Sequence, residues 1–305
     1  MPDPRTAATD DDERDDARAD ATPATAIDIA AMVDLSRYPI ADLSTAPARA
    51  FAQQCRREYQ DAGLCILPNF LQPAARKTIA DEASGLLPHA YFCDNTHNVY
   101  LTDDDAQADD GATSATHEVA RRREHTRVGS VAYDLIAADA KLRQLYLWDP
   151  LKNFIAYVLG KPALHRFADV FGACSINVFV DGGAHGWHFD ESEFSVILML
   201  QTAQRGGAFE YVPHLRGRDD ERAVIAKLLD GDDDANVEVL PFTEGALLIF
   251  GGRQTIHRVT RVRGAQPRLT PILCYSETPY AQNSEAVREL FWGRANADAE
   301  LNVAT

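Results

Sequence analysis

Ala173-Cys-Ser-Ile-Asn-Val-Phe-Val180-Asp-Gly-Gly-Ala-His185-Gly-Trp-His188-Phe-Asp190 holds two short runs that read as β-strands, split by an Asp-Gly-Gly turn signal. The second run ends in a histidine and a carboxylate two residues apart. On a strand, residues i and i+2 share a face, so His188 and Asp190 point together while Phe189 points away. Outward from this stretch the same texture continues through Phe194–Gln201, Ala208–Pro213, Val237–Phe242, Ala246–Phe250, Thr255–Val262 and Arg268–Ser276. Each run is bounded by Gly, Pro or Asp, and Asp219–Leu229 alone interrupts them as a helix. Eight short strands joined mostly by connections too short for helical crossovers predict an antiparallel sandwich or jelly roll.

Upstream the period changes. From Ala46 to Ala62, Phe51, Cys55 and Tyr59 recur at helical spacing and Gly63 supplies a stop; further helices are expected at 72–87, 128–147 and 150–159. The polar stretch 102–127, with five aspartates and then Arg121-Arg-Arg123, reads as a loop, either a solvated excursion or a lid over a site. Residues 1–26 hold eight acids and three arginines, the composition of a disordered acidic tail. The expected organisation is therefore α+β: a tail over 1–26, then one domain over 27–305. That domain divides into a helical buttress (27–164), a β core (165–280) and a C-terminal segment (281–305).

Of the 305 residues, 46% are apolar and 25% charged, values that allow a packed core and exclude fibrous and low-complexity classes. Forty-six acids against 30 bases give a net charge of −16, and the bases are scattered, which argues against nucleic acid as a partner. No basic, apolar leader opens the chain, and no run approaches the ~20 apolar residues of a membrane span. Cytoplasmic location is the expectation. Cys55, Cys65, Cys93, Cys174 and Cys274 are odd in number and lack CxxC spacing, so they read as reduced, packed thiols rather than a disulfide or zinc framework.

A His-x-Asp triplet alone is weak evidence, since a chain with nine His and 46 acids should contain about one by chance. A second cluster strengthens it. His257 lies in an otherwise apolar alternating strand, where an unpaired imidazole would be costly. Two histidines and one carboxylate with open positions form the facial set of non-haem Fe(II) oxygenases, although the same ligands also suit zinc. Eleven residues on stands Arg268, with Thr270 two further along the same strand face. Together they can grip a carboxylate through a bidentate guanidinium pair and a hydroxyl. Arg258, Arg261 and Arg263 fit that role less well by spacing and read as solvated.

The run Asp181–Asp190, then Phe194–Gln201, Gly206–Pro213, Ile256–Val259 and Arg268, resembles the Fe(II)/2-oxoglutarate-dependent oxygenases. More narrowly it is similar to the branch containing free-amino-acid hydroxylases and radical halogenases. The similarity extends through Val128–Gly160, with Ala132-Tyr-Asp134 and Leu145-Tyr-Leu-Trp-Asp-Pro150, to Phe291-Trp-Gly-Arg294. The resemblance implies a double-stranded β-helix of the jelly-roll or cupin-like kind with N-terminal helices packed on it. It implies Fe(II) held by His188, Asp190 and His257, with the far carboxylate of 2-oxoglutarate on Arg268. Decarboxylation of that co-substrate with O2 would then drive oxidation of an unactivated C–H bond.

In the halogenating relatives a small residue replaces the carboxylate. Asp190 therefore favours hydroxylation, with desaturation and halogenation as variants of the same chemistry. Asn177 is a candidate donor to 2-oxoglutarate, and His185, Glu191 and Trp292 are candidate substrate contacts. Trp187 reads as packing, and His165 and His214 as exposed polar residues. The implied partner is a small polar molecule, an amino acid or a derivative, with a homodimer left open. A metal-binding jelly roll without activity and a zinc hydrolase are the other readings.

Overall fold

The computed structural model describes residues 28–102, 119, 121–232 and 236–296. The expected acidic tail and most of the 102–127 stretch lie outside them. Helix α1 (Ala46–Ala62) opens on a proline in its first turn and closes at Gly63, whose φ of 72° is the left-handed conformation that a C-terminal glycine adopts without strain. Ala48, Ala52 and Cys55, spaced four and three apart, form its buried stripe. Strand β1 (Leu64–Leu67) follows at once, then α2 (Pro73–Gly85), β2 (Tyr91–His97) and β3 (Glu124–Val131). Two helices, α3 (Lys141–Tyr146) and α4 (Asp149–Leu159), lead to β4 (His165–Arg166), β5 (Cys174–Phe179), β6 (Ala184–His188), β7 (Ser195–Leu198) and β8 (Phe209–Val212). The chain continues through α5 (Glu221–Asp230), β9 (Glu238–Leu240), β10 (Leu247–Phe250), β11 (Ile256–Val259), β12 (Arg268–Leu273), β13 (Tyr275–Ser276) and α6 (Glu285–Trp292).

Eleven strands form one antiparallel sheet in the order β1-β10-β7-β12-β5-β3-β6-β11-β8-β9, with β2 on β3. The sheet curls on itself. One cavity is lined by Ser130 of β3, Asn177 of β5, His188 of β6, Ser195 of β7, Phe209 of β8, His257 of β11 and Arg268 of β12, so strands from both ends of the order face a common interior. This is the jelly-roll, double-stranded β-helix architecture expected from the sequence. Strand β3 joins its halves, pairing Gly129–Val131 with β5 and Thr126–Arg127 with β6.

Strand periodicity separates the core from the site. On β10, Leu247 and Ile249 join the helix-side cluster with Ala52, Phe154 and Ile155, while Leu248 and Phe250 point into the interior with Phe179 and Phe209. On β12, Leu269 belongs to the helix-side core, leaving Arg268 and Thr270 on the inner face. Helix α5 covers the other half, where Ile225 and Leu228 pack on Trp187, Val212 and Ile256. Each such fully buried aliphatic or aromatic side chain contributes roughly 1.5–3 kcal/mol, so the curl is held from outside and its interior is free to carry polar groups.

Three expectations need correction. Residues 128–147 are not one helix: Glu124–Val131 is a central strand, Tyr133–Leu135 is a single 3-10 turn, and only Lys141–Tyr146 is α-helical. The positions that β3 buries include Thr126 and Ser130, which face the polar interior and leave no apolar alternation to read. Consequently 102–127 is not all loop, and the stretch 27–164 is not a purely helical buttress, since it supplies β1, β2 and β3. Strand β2 escaped notice for a related reason. Of its seven residues only Cys93 is buried, and the strand is held by pairing along its whole length with β3.

Candidate metal centre and co-substrate chamber

His188 ends β6 and His257 sits opposite it on β11, so backbone pairing sets the two rings side by side at a centroid distance of 4.2 Å. Each Nδ1 lies against a backbone carbonyl, that of Gly186 at 2.8 Å for His188 and that of Thr255 at 3.0 Å for His257. A carbonyl only accepts, so both Nδ1 atoms carry the proton and both Nε2 atoms present lone pairs. Both Nε2 atoms lie 3.4 Å from Asp190 Oδ1. Three acceptors thus converge on one point, an arrangement that is repulsive without a cation or a proton between them.

The electrostatics agree with that reading. Burial, reinforced by the neighbouring His257, pushes the His188 imidazolium down to about 4. Burial pulls Asp190 upward, but a cationic, donating His257 or His188 facing it outweighs that and holds the carboxyl well below the usual range, as a metal cation in the same place would. An imidazole that stays neutral and a carboxyl that stays ionised are the forms that bind metal. His188, Asp190 and His257 bring their ligand atoms within 4.8 Å of one another, and the donor set fits Fe(II). The only other such group among the described residues, Cys55, Glu58 and Cys65, lies away from the cavity.

Behind the triad is an inner chamber of about 250 Å³. Arg268 is 3% exposed, and its guanidinium donates to Thr270 Oγ1 at 3.1 Å and lies 5.3 Å from the Phe179 ring centre. Its Nε has no partner, and among the described residues no carboxylate forms an ion pair with it. Burial pushes its pKa down to about 10. A buried cation without a counter-ion costs several kcal/mol, so the chamber is built for an anion. Asn177 stands across from Thr270 on β5 and accepts from Ser130 Oγ at 3.4 Å.

An outer cavity of about 620 Å³ opens from the His188 and Asp190 side of the triad. His185 lies at its base, stacked on His188 with ring centres 3.7 Å apart, and burial, followed by the repulsion that two protonated rings would suffer, holds its pKa well below the usual value. Glu191 is exposed at the rim, where its backbone carbonyl accepts from Arg253. Trp292 is buried against Phe171 at 6.0 Å and lines the inner chamber, its indole N–H without a partner.

The remaining expectations divide. Trp187 is buried core, and His165 and His214 are exposed. Arg261 and Arg263 are exposed, but Arg258 is not simply solvated: it pairs with Glu210 at 2.7 Å and lies 4.6 Å from the Trp187 ring centre. The sequence reading missed three neighbours. His97 packs edge-on to His185 and His188 with its Nε2 on Thr126 Oγ1, Ser195 bonds Asp190, and Gly252 backs Asp190. His97 sits in the unrecognised β2, and a single serine in a β-run or a glycine in the turn between two runs carries no motif.

Comparison with solved structures places the fold among the 2-oxoglutarate oxygenases. The chain is similar to the non-heme alpha ketoglutarate dependent epimerase SnoN from nogalamycin biosynthesis, at 16% identity over 75% of this chain and 83% of that one, with a TM-score of 0.51. A structure of SnoN in complex with Fe3+, alpha ketoglutarate and nogalamycin RO aligns at 15% identity, 74% and 84% coverage and a TM-score of 0.50. An oxidoreductase of the 2OG-Fe(II) oxygenase family from Burkholderia pseudomallei aligns at 17% identity, 75% and 92% coverage and a TM-score of 0.45. No curated protein matches the sequence. Residues 95–291 match the family model of Halogenase D, and the chain belongs to that family.

Proposed function

We propose that this chain is an Fe(II)- and 2-oxoglutarate-dependent dioxygenase that hydroxylates an unactivated C–H bond of a small polar substrate, an amino acid or a close derivative. The observation that carries the reading is the convergence of His188 Nε2, His257 Nε2 and Asp190 Oδ1 beside an unpaired buried Arg268. Iron held there would supply the activation of O2 coupled to decarboxylation of 2-oxoglutarate. The protein's own residues do the rest. Gly186 and Thr255 carbonyls fix both imidazole tautomers, Arg268 and Thr270 anchor the far carboxylate of the co-substrate with Asn177 alongside, and the apolar walls Phe209 and Ile272 limit water.

The outer cavity supports the substrate class. Its volume suits a small molecule, and Asn95, Thr96, Thr126, Ser192 and Asn283 join His185 and Glu191 on its wall, a lining for polar groups. Glu191 at the rim suits an ammonium, whereas Trp292 lines the inner chamber and not this cavity. Family membership raises halogenation as a second reading. Asp190 argues against it, since the carboxylate fills the position that the halogenating relatives leave to a small residue. The helix-side core runs from Ile29 to Tyr275, which supports one catalytic unit over 27–305. Among the described residues no helix is long and apolar enough to cross a membrane, and a reducing cytoplasm would keep iron ferrous.

The test is aerobic incubation with Fe(II), 2-oxoglutarate and chloride against a panel of free amino acids, read by mass spectrometry with succinate as a second readout. A product gaining one oxygen supports the proposal, a chlorinated product replaces it with halogenation, and ligand binding without succinate points to a non-catalytic module.

A further inference from the structure

The two oxygens of Asp190 have different surroundings. Oδ1 faces both histidines at 3.4 Å, whereas Oδ2 accepts from Ser195 Oγ at 2.8 Å. The wall behind the carboxylate is Gly252: its carbonyl accepts from the Asp190 N–H at 3.1 Å, and a Cβ added there would stand 1.9 Å from Oδ2. Ser195 is the first residue of β7 and is held opposite Phe250 of β10. It lines both the inner and the outer chamber.

We propose that Ser195 is a positioning residue which, with Gly252 behind it, holds Asp190 so that one oxygen alone is offered to the metal and the remaining positions stay open for co-substrate and O2. The proposal rests on the iron reading above. A freely rotating carboxylate can present both oxygens to a cation and occupy two positions. The Ser195 hydroxyl occupies the second oxygen with a charge-assisted hydrogen bond, and the missing side chain at residue 252 gives the carboxylate room to lie in that orientation. Ser195 does not contact the reacting atoms. Groups that orient a ligand in this way commonly change metal affinity 10- to 100-fold when removed.

The experiment is anaerobic titration of the full chain with Co(II), whose visible absorption reports coordination number, followed by 2-oxoglutarate. Wild type, Ser195→Ala, Ser195→Thr and Gly252→Ala are compared, each with a melting curve of the metal-free protein. Ser195→Ala and Gly252→Ala are expected to lose about tenfold in Co(II) affinity and to change the spectrum. Ser195→Thr, which keeps the hydroxyl, stays near wild type in both, and the metal-free melting temperatures of the two Ser195 variants agree. Wild-type affinity and spectrum in Ser195→Ala overturn the proposal, as do equal losses in Ser195→Ala and Ser195→Thr. A wild-type chain that takes up no Co(II) overturns the metal reading itself, and this proposal with it.

Discussion

Replacing Arg268 with methionine should make the co-substrate-free protein more stable while destroying its grip on 2-oxoglutarate. The guanidinium is 3% exposed, lacks a partner at Nε, and has its pKa pushed down from the usual guanidinium value to about 10 by burial. At 1.36 kcal/mol per unit, that depression corresponds to about 3 kcal/mol of unfavourable charge burial. The sign follows from proton linkage: at pH 7 the folded and unfolded chains are both protonated here, so the whole cost falls on the folded state, and it is relieved only as pH rises above about 10. Methionine of similar length removes the cost and forfeits the hydrogen bond to Thr270 and the contact with Phe179, each worth about 1 kcal/mol. The net gain is about 1 kcal/mol, or roughly 2–4 °C in melting temperature. Losing the partner of a buried carboxylate costs about 2–5 kcal/mol, so 2-oxoglutarate affinity should fall by a factor of about 30 or more. Calorimetric melting of the metal-free protein and an anaerobic binding titration read the two effects separately. A variant that melts several degrees lower, or that binds 2-oxoglutarate normally, refutes the reasoning that Arg268 is an uncompensated cation waiting for an anion.

Three further outcomes are expected. Because the folded pKa of His188 lies near 4 against an ordinary 6.5, the unfolded metal-free chain binds more protons between those values, so stability is intact above pH 6.5 and falls as pH drops toward 4; His188→Gln should flatten that part of a pH–denaturation profile. Asp169, with its side chain fully buried, accepts from the Phe171, Gly172 and Asn283 amides and pairs with Arg288 at 2.8 Å, fastening α6 beside the cavity. Asp169→Asn leaves Arg288 without its counter-ion, keeping only its bonds to Gln282 and the Ala295 carbonyl, and should cost about 3 kcal/mol in urea unfolding, with faster proteolysis of the C-terminal segment. Gln at Glu191 should raise KM for a cationic substrate while leaving kcat nearly unchanged, since the rim carboxylate binds ground state and transition state alike.

How far the sequence carried these conclusions depended on which face a residue occupies. The β-runs after residue 165 were legible because their outer faces bury Val, Ile and Leu against helices, and the same alternation put His188 with Asp190 and Arg268 with Thr270 on the inner face. Strand β3 was illegible because its inward positions include Thr126 and Ser130, residues chosen for a polar chamber rather than for a core. Strand β2, exposed along most of its length, was invisible for want of any apolar pattern, and His97 was hidden with it. Ser195 and Gly252 act through distances that only the fold creates: nothing in the string shows that residues 190, 195 and 252 meet. The histidine tautomers, set by Gly186 and Thr255 carbonyls, belong to the same class of information.

Anaerobic addition of Fe(II) and then 2-oxoglutarate to the full chain tests the central claim most directly. A weak visible charge-transfer band should appear only when both are present and be absent in His257→Ala, with succinate formed once O2 is admitted to the wild type. A wild-type protein that shows no band and yields no succinate contradicts the assignment of His188, Asp190 and His257 as an iron site.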